Sequence, residues 1–256
     1  AYSRANKMDW VKNAEWVLIV DADEFLNIHV GDRSIDALIE ACGAPDAISI
    51  NWRLMGSQGQ SKMSTDLVSE RFTRGSSFDD PENGLVWGFK TLFRPAQFSF
   101  FGVHRPKFDK EVEVVDGMVT WTNAAGQPMG DKYLHKGWRG NEENVTNKFA
   151  QVNHYAIKSR EDSLLKRLRG TANSKNKDRI DMEYWDKYDI NTIEDTTIPT
   201  TGIRAQMDEW LEDGDLAALS RACADCSQRV LDYQLTVAEF RTFIDTGHFA
   251  KMKEAT

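Results

Sequence analysis

Two aspartates separated by one residue are the clearest chemical feature of this sequence. Asp21 and Asp23 flank Ala22 and directly follow an unbroken apolar run at residues 16–20. Such a run predicts a strand buried on both faces, and side chains two apart on a strand point the same way. Two carboxylates held close together repel one another, and a divalent cation with oxygen ligands relieves that repulsion. The pair therefore predicts a Mn²⁺ or Mg²⁺ site with open positions for a substrate diphosphate.

A histidine followed by a basic helix forms a second group. His154 precedes Ser159 and Asp162, which have the spacing of a helix capping box. Lys166 and Arg169 are three residues apart, so they share a face of the predicted helix. An imidazole can ligate a metal ion and the two cations can bind phosphate oxygens. The alternative is a structural histidine beside a solvated basic face.

Two further residues are candidates for proton transfer or substrate contact. Glu70 follows a polar, Gly- and Ser-rich stretch, and His104 follows an aromatic-rich passage. Neither residue is specific by itself. Tryptophans that can stack on sugar rings, although most tryptophans serve packing, stand at four positions: Trp52, Trp87, Trp121 and Trp138.

The elements around these residues alternate between strand and helix. After the run at 16–20, a helix is predicted over 35–41, with Ser34 as its N-cap and Gly43 at its end. Alternating apolar residues predict a strand over 47–53, which completes a βαβ unit. Ligands of open α/β sheets bind at the carboxyl ends of strands, where the two aspartates lie.

The remaining elements include a hairpin and a helical end. Residues 89–93 are predicted to be a strand. Asp116 and Gly117 between two alternating stretches predict an antiparallel hairpin insert. Beyond Thr200 the spacing of apolar residues becomes helical.

Composition limits the class of protein. The 256 residues carry 32 Lys and Arg against 40 Asp and Glu, a formal charge of −8. An acidic chain is a poor general binder of nucleic acid, because that affinity comes from Lys and Arg. No apolar run approaches the roughly 20 residues of a transmembrane helix. Three cysteines, an odd number, favour a reducing compartment, and we predict a cytoplasmic protein that can form oligomers.

Taken together in order, the motifs resemble a bacterial group of family 2-like glycosyltransferases, which has the GT-A fold and is related to the family 92 enzymes. The segments that carry the resemblance are WVLIVDADEF at 16–25, NWR at 51–53, KTLFRP at 90–95, HRP at 104–106 and NHYAIKS at 153–159.

The resemblance implies transfer of a sugar from a nucleotide-sugar donor to a glycan or other hydroxyl acceptor, in bacterial surface polysaccharide or glycoconjugate synthesis. It implies a Mn²⁺ or Mg²⁺ ion on Asp21 and Asp23. His154 would be the later metal or diphosphate contact, with Lys166 and Arg169 near it. The base that deprotonates the acceptor does not carry over, and Glu70 and His104 are both candidates.

The fold expected from the resemblance is a GT-A-like, partly doubly wound α/β sheet. In that fold, strands before the acidic motif hold the nucleotide, whereas only 20 residues precede Asp21 here. We therefore expect an N-terminally incomplete catalytic region over 1–198 and a helical extension over 199–256.

Two other functions are open at this point. A haloacid-dehalogenase-like Mg²⁺-dependent phosphatase would use Asp21 as nucleophile and Asp23 as general acid. That pattern continues with a small pair such as Gly-Thr, which Glu24 and Phe25 do not match. A glycan-binding protein without catalysis is the second alternative.

Overall fold

The computed structural model describes residues 2–79, 85–170 and 180–248. It is a mixed α/β structure with a curled mixed sheet and about ten helices. The chain divides into two compact units. The sheet unit comprises Ala1–Leu54 and Ser76–His154, and the helical unit comprises Met55–Gly75 and Tyr155–Thr256.

The described strands are β1 (Val17–Leu18), β2 (Glu24–Ile28), β3 (Ala47–Leu54), β4 (Arg74–Gly75), β5 (Phe89–Phe93), β6 (Phe100–Phe101), β7 (Pro106–Lys107), β8 (Trp121–Asn123), β9 (Ala150–His154) and β10 (Ile193–Glu194). The described helices are α1 (Tyr2–Ala5), α2 (Asp9–Lys12), α3 (Ile35–Ala41), α4 (Val68–Arg71), α5 (Lys132–His135), α6 (Arg160–Arg169), α7 (Met182–Tyr188), α8 (Thr201–Trp210), α9 (Gly214–Gln234) and α10 (Ala238–Thr246). None of these helices is both long and apolar enough to cross a bilayer.

Strand β3 organises the sheet unit. The strands run in the order β1-β5-β3-β9-β2, and β8 also pairs with β3. The first five residues of β3 pair antiparallel with β5, while its other edge pairs in parallel with β8 and then with β9. All eight residues of β3 are buried.

The alternation predicted for β3 is confirmed, but its polar face is buried as well as its apolar one. Ser49, Asn51 and Arg53 are buried among hydrogen-bond partners. The Ser49 hydroxyl accepts a bond from Trp121 Nε1 at 2.9 Å, and Arg53 Nε donates to Gln151 Oε1 at 3.0 Å. Buried polar groups are tolerated when they are hydrogen-bonded, so this face forms an ordered polar layer.

The prediction of a doubly buried parallel strand at 16–20 is wrong. Only Val17 and Leu18 form a strand, which is half-buried and pairs antiparallel with β5. β1 is the first strand in the sheet order, and β5 separates it from β3. Helix α3 is confirmed, and the Ser34 hydroxyl caps it by accepting from Ala37 N at 3.1 Å. The predicted βαβ unit does not form, because β2 lies between β1 and α3 along the chain and β5 separates β1 from β3 in the sheet.

The predicted hairpin insert is also wrong. The turn itself forms, with Gly117 at φ 76° and Met118 N donating to Val115 O at 3.1 Å. The flanking residues 111–115 and 118–120 are not strands, and the chain next pairs at β8 with β3. Burial on the main sheet outweighs a local ladder, because Trp121 joins the core there. A small antiparallel pair lies instead at β6 and β7.

The helical unit confirms the predicted capping box and the helical C-terminal region. The Ser159 hydroxyl accepts from Asp162 N at 3.2 Å, and the Asp162 carboxylate accepts from Ser159 N at 3.3 Å. Helices α8 to α10 follow Thr200, and residues 249–256 lie outside the described part of the chain. The core of this unit joins α6, α7, α9 and α10 through buried side chains: Leu164, Trp185, Leu231, Phe243 and Ile244. The predicted functional boundary after residue 198 stays a prediction.

Glycine 56 offers a test of packing in the helical unit. A Cβ on Gly56 would lie 2.6 Å from Asn191 Cγ and closer still to the Ile190 carbonyl oxygen. We expect Gly56→Ala to lower the free energy of unfolding by about 1–3 kcal/mol, because backbone cannot move aside cheaply. The matched change Gly202→Ala meets no atom within 4 Å and should raise it by up to about 1 kcal/mol. Urea denaturation measures both, and equal effects would contradict the packing described here.

Candidate functional site

The ammonium group of Lys90 is the centre of the candidate site. Lys90 lies on β5 and its side chain is fully buried. Its Nζ contacts Glu24 Oε2 at 3.0 Å, Asp21 Oδ2 at 3.1 Å and the carbonyl oxygen of Val103 at 3.0 Å. These partners satisfy the three donors of an ammonium group, which is the condition under which a lysine can be buried charged.

Glu24 connects this ion pair to the acidic motif. Its Oε2 also accepts from Asp21 N at 2.7 Å, and Glu24 N donates to Asp21 O at 3.0 Å. Residues 21–24 are therefore a closed turn that leads into β2, and the two aspartates do not lie on a strand as the sequence predicted. Burial raises the pKa of Glu24, and Lys90 opposes that rise in part. Asp21 has 47% of its side chain exposed, so one side of this carboxylate faces solvent.

The pairing of β2 with β9 brings His154 to the acidic turn. Glu24 lies directly opposite His154, and β3 pairs with the other edge of β9 through Leu54. Asp23 is the residue before Glu24, so the structure brings Asp21, Asp23 and His154 to one end of the sheet. Their metal-binding roles stay predictions.

A cluster of rings lies beside this turn. Trp52 packs against His154, His104 and Trp138 with ring centroids 4.7, 5.4 and 5.5 Å apart. His104 stacks on Trp138 at 4.6 Å with an interplanar angle of 14°. Gly88 makes room for Trp52, since a Cβ there would lie 2.6 Å from the indole. Within the described chain, Trp52 Nε1 and His104 Nδ1 are buried without a hydrogen-bond partner.

The environment of His104 keeps its imidazole neutral. Burial and, to a lesser extent, the positive charge of Lys90 lower the pKa of His104 to about 4, whereas Asp21 raises it. A neutral imidazole is in the form that accepts a proton, but one with this pKa is a weaker base than an ordinary histidine. The role of His104 as catalytic base stays a prediction.

Three other predicted residues belong to the helical unit. Glu70 lies on α4 and pairs with Arg204, whose Nε is 3.2 Å from Glu70 Oε1, and this bond lowers the pKa of Glu70. Lys166 donates to the Ala156 carbonyl and to Tyr184 Oη. Arg169, on the same helix, is exposed. The catalytic role of Glu70 and the phosphate-binding roles of the two cations stay predictions.

The acidic turn offers carboxylate oxygens, which are ligands that suit a divalent cation. Among the described residues, no three His, Cys, Asp or Glu side chains converge as a metal-holding group. Mg²⁺ and Mn²⁺ nevertheless take oxygen ligands, and Mg²⁺ is often held by only one or two carboxylates together with substrate phosphates. Asp21 and Asp23 fit a site of that kind, in which the protein supplies few ligands.

The sequence alone indicated no role for Lys90 or Glu24, although both lie in segments that carry the family resemblance. The available signal was a single cation within the otherwise apolar strand FKTLF at 89–93. A charge in a strand of that kind requires a buried partner of opposite sign. Which carboxylate would be that partner could not be read from the chain.

We expect Lys90→Met to destabilise the sheet unit by about 3 kcal/mol, because it leaves the Glu24 carboxylate buried without a cation. The double variant Lys90→Met/Glu24→Gln should recover part of that loss, since it removes both charges. Urea denaturation at pH 7 measures the three proteins. A single variant within about 1 kcal/mol of the parent would show that the ion pair contributes little.

His104 should make stability depend on pH. Because its pKa is lower in the folded state, the unfolded chain binds the extra proton between pH 6.5 and about 4. Stability should therefore fall as pH falls through this window. His104→Gln should reduce that loss by on the order of 1–2 kcal/mol, discounted for the partial exposure of the ring. His248→Gln, at an exposed histidine, is the control in urea titrations, and identical profiles for both variants would contradict this account.

Comparison of the chain with protein-family models, with curated proteins and with solved structures found no match of any of these three kinds. The resemblance to the glycosyltransferase group therefore rests on the motifs of the sequence. The fold established here is the broader mixed α/β class.

Proposed function

We propose that this chain is a metal-dependent glycosyltransferase of the GT-A type, which transfers a sugar from a nucleotide-sugar to a hydroxyl acceptor in bacterial glycoconjugate synthesis. The observation that carries the proposal is the pairing of β2 with β9, which sets His154 opposite Glu24 beside the turn of Asp21 and Asp23. Asp21, Asp23 and His154, which the sequence predicts for one chemistry from positions about 130 residues apart, lie at the same end of the sheet.

In this proposal Asp21 and Asp23 hold Mn²⁺ or Mg²⁺, and His154 is a further ligand or a diphosphate contact. The ion would neutralise the diphosphate that leaves the donor. Lys90 offsets the charge of the Asp21 and Glu24 carboxylates, so that two acids can stay close together without a bound cation. Glu24 holds the backbone of the turn through Asp21 N, which orients the exposed side of Asp21.

The ring cluster is suited to a sugar or an acceptor. Sugar rings have apolar faces that pack on indoles, and Trp138 is half-buried above the buried Trp52. Indole Nε1 of Trp52 and imidazole Nδ1 of His104 are buried polar atoms without a hydrogen-bond partner among the described residues, and both are shielded from solvent. His104, neutral at pH 7, is the candidate in the sheet unit for receiving the acceptor proton.

The phosphatase hypothesis is the less favoured one because of its motif. A small pair such as Gly-Thr would follow the second aspartate, whereas Glu24 and Phe25 stand there. The short, half-buried strand β1, antiparallel to its neighbour, does not separate the two enzyme hypotheses, since both expect a buried strand before Asp21. The non-catalytic hypothesis predicts that a glycan binds while neither UDP nor GDP does, with or without Mn²⁺, and the titration below tests the prediction for the nucleotides.

The test is calorimetric titration of the full chain with UDP and with GDP, each with and without Mn²⁺. We expect binding of at least one nucleotide that requires Mn²⁺, because Asp21 and Asp23 would hold the ion and the ion would offset the negative charge of the diphosphate. Asp23→Asn should weaken that binding by at least about tenfold, since it removes one charged ligand. Asp116→Asn, an exposed aspartate in the turn before Gly117, is the matched control.

Release of UDP or GDP from nucleotide-sugars in the presence of Mn²⁺ would then identify the donor. Release of inorganic phosphate from phosphomonoesters, with no nucleotide binding, would replace the proposal by the phosphatase. Unchanged nucleotide binding in Asp23→Asn would sink the metal assignment.

A further inference from the structure

A cavity in the sheet unit, away from the acidic turn, has a chemistry of its own. Its volume is about 320 Å³, and its wall comes from the segment 105–114 and from the end of α5. This volume is at the lower end of the range for small-molecule sites. The acidic motif at 21–24 and the ring cluster contribute no residue to this wall.

A buried guanidinium stands in that wall. Arg105 is only 8% exposed, and it donates to the carbonyl oxygens of Pro106 at 3.1 Å and His135 at 2.6 Å. No carboxylate of the described residues lies within ion-pair distance of Arg105. Burial lowers the pKa of Arg105. A buried cation without an anion is costly, and a guanidinium has further N–H groups that can reach a ligand.

The charges around Arg105 reinforce its own. Lys107 and Lys110 also line the cavity, and Asp109 is the one carboxylate in its wall. Three cations less one anion give a local charge of 3 − 1 = +2, in a chain whose formal charge is −8. Glu111 and Glu113 follow on the same segment, but they are exposed and do not line the cavity. An anion is therefore attracted to this place against the field of the whole chain.

The rest of the wall is apolar. Val112 and Val114 alternate with the two exposed glutamates and are half-buried. Phe108 and Leu134 complete the apolar part. Inorganic phosphate alone would leave these side chains without a partner, whereas an anion with a compact apolar body would cover them.

We propose that this cavity binds a small organic oxyanion, a phosphate monoester or a carboxylate, with the charged group on Arg105, Lys107 and Lys110 and the apolar body against Val112, Val114 and Leu134. The site is independent of the proposed transferase activity.

Calorimetry of the full chain with phenyl phosphate, benzoate and inorganic phosphate tests the site and separates the two sources of negative charge. We expect phenyl phosphate or benzoate to bind more tightly than inorganic phosphate. Lys107→Gln/Lys110→Gln should weaken binding of the tighter probe by at least about fivefold, because it removes two charges from the wall. Lys7→Gln/Lys12→Gln removes the same charge from exposed positions of the sheet unit and should leave the affinity for that probe unchanged.

Arg105→Lys should weaken binding of the tighter probe by about tenfold, since lysine lacks the planar fork of the guanidinium. If Arg105→Lys does not fold, the comparison of the two lysine double variants is the test of the site.

Three results would each overturn the proposal. The first is the absence of saturable binding for every probe up to about 10 mM, because a specific site of this kind should bind at least one probe with a lower Kd. The second is an equal loss of affinity in the two lysine double variants, which would mean a general charge effect. The third is equal affinity for inorganic phosphate and both organic probes, which would remove the apolar part of the site.

Discussion

The buried ammonium of Lys90 is the interaction on which the acidic end of the sheet depends. It lies between Glu24, whose side chain is fully buried, and Asp21, which is about half exposed. Removing charges from water is costly, and the three contacts of the ammonium offset part of that cost. Glu24 Oε1 is buried without a hydrogen-bond partner among the described residues. Because Glu24 also accepts from the backbone of Asp21, one cation fixes both the carboxylates and the turn. The acidic turn is thus held in place by the protein's own groups.

Strand β3 determines what surrounds that turn. It pairs with β5, which carries Lys90, and with β9, which carries His154. Trp52 on β3 is in ring contact with both His104 and His154. The polar residues of β3 are hydrogen-bonded in the interior, so sliding the strand by one residue would leave them unpaired. This constraint on register holds the ionic turn and the ring cluster side by side.

The errors in the sequence-based fold share one cause. A run of apolar residues indicates burial, but it does not say on how many faces or beside which strand. Residues 16–20 became a short edge strand because the chain leaves the ladder after Leu18 to form the turn at 21–24. Residues 111–115 lost their predicted ladder because the chain pairs at Trp121 with β3 instead. In both places tertiary contacts outweighed a local preference.

The sequence by itself determined the features that depend on residues a few positions apart. These include the cap of α3 at Ser34, the capping box at Ser159 and the turn at Gly117, together with the choice of Asp21, Asp23 and His154 as candidates. The tertiary structure alone decided the partner of Lys90, the register that sets Glu24 opposite His154, and the burial of Arg105 away from every carboxylate of the described residues. Charges and strands pair across long stretches of chain, and their spacing in the sequence carries no record of that pairing.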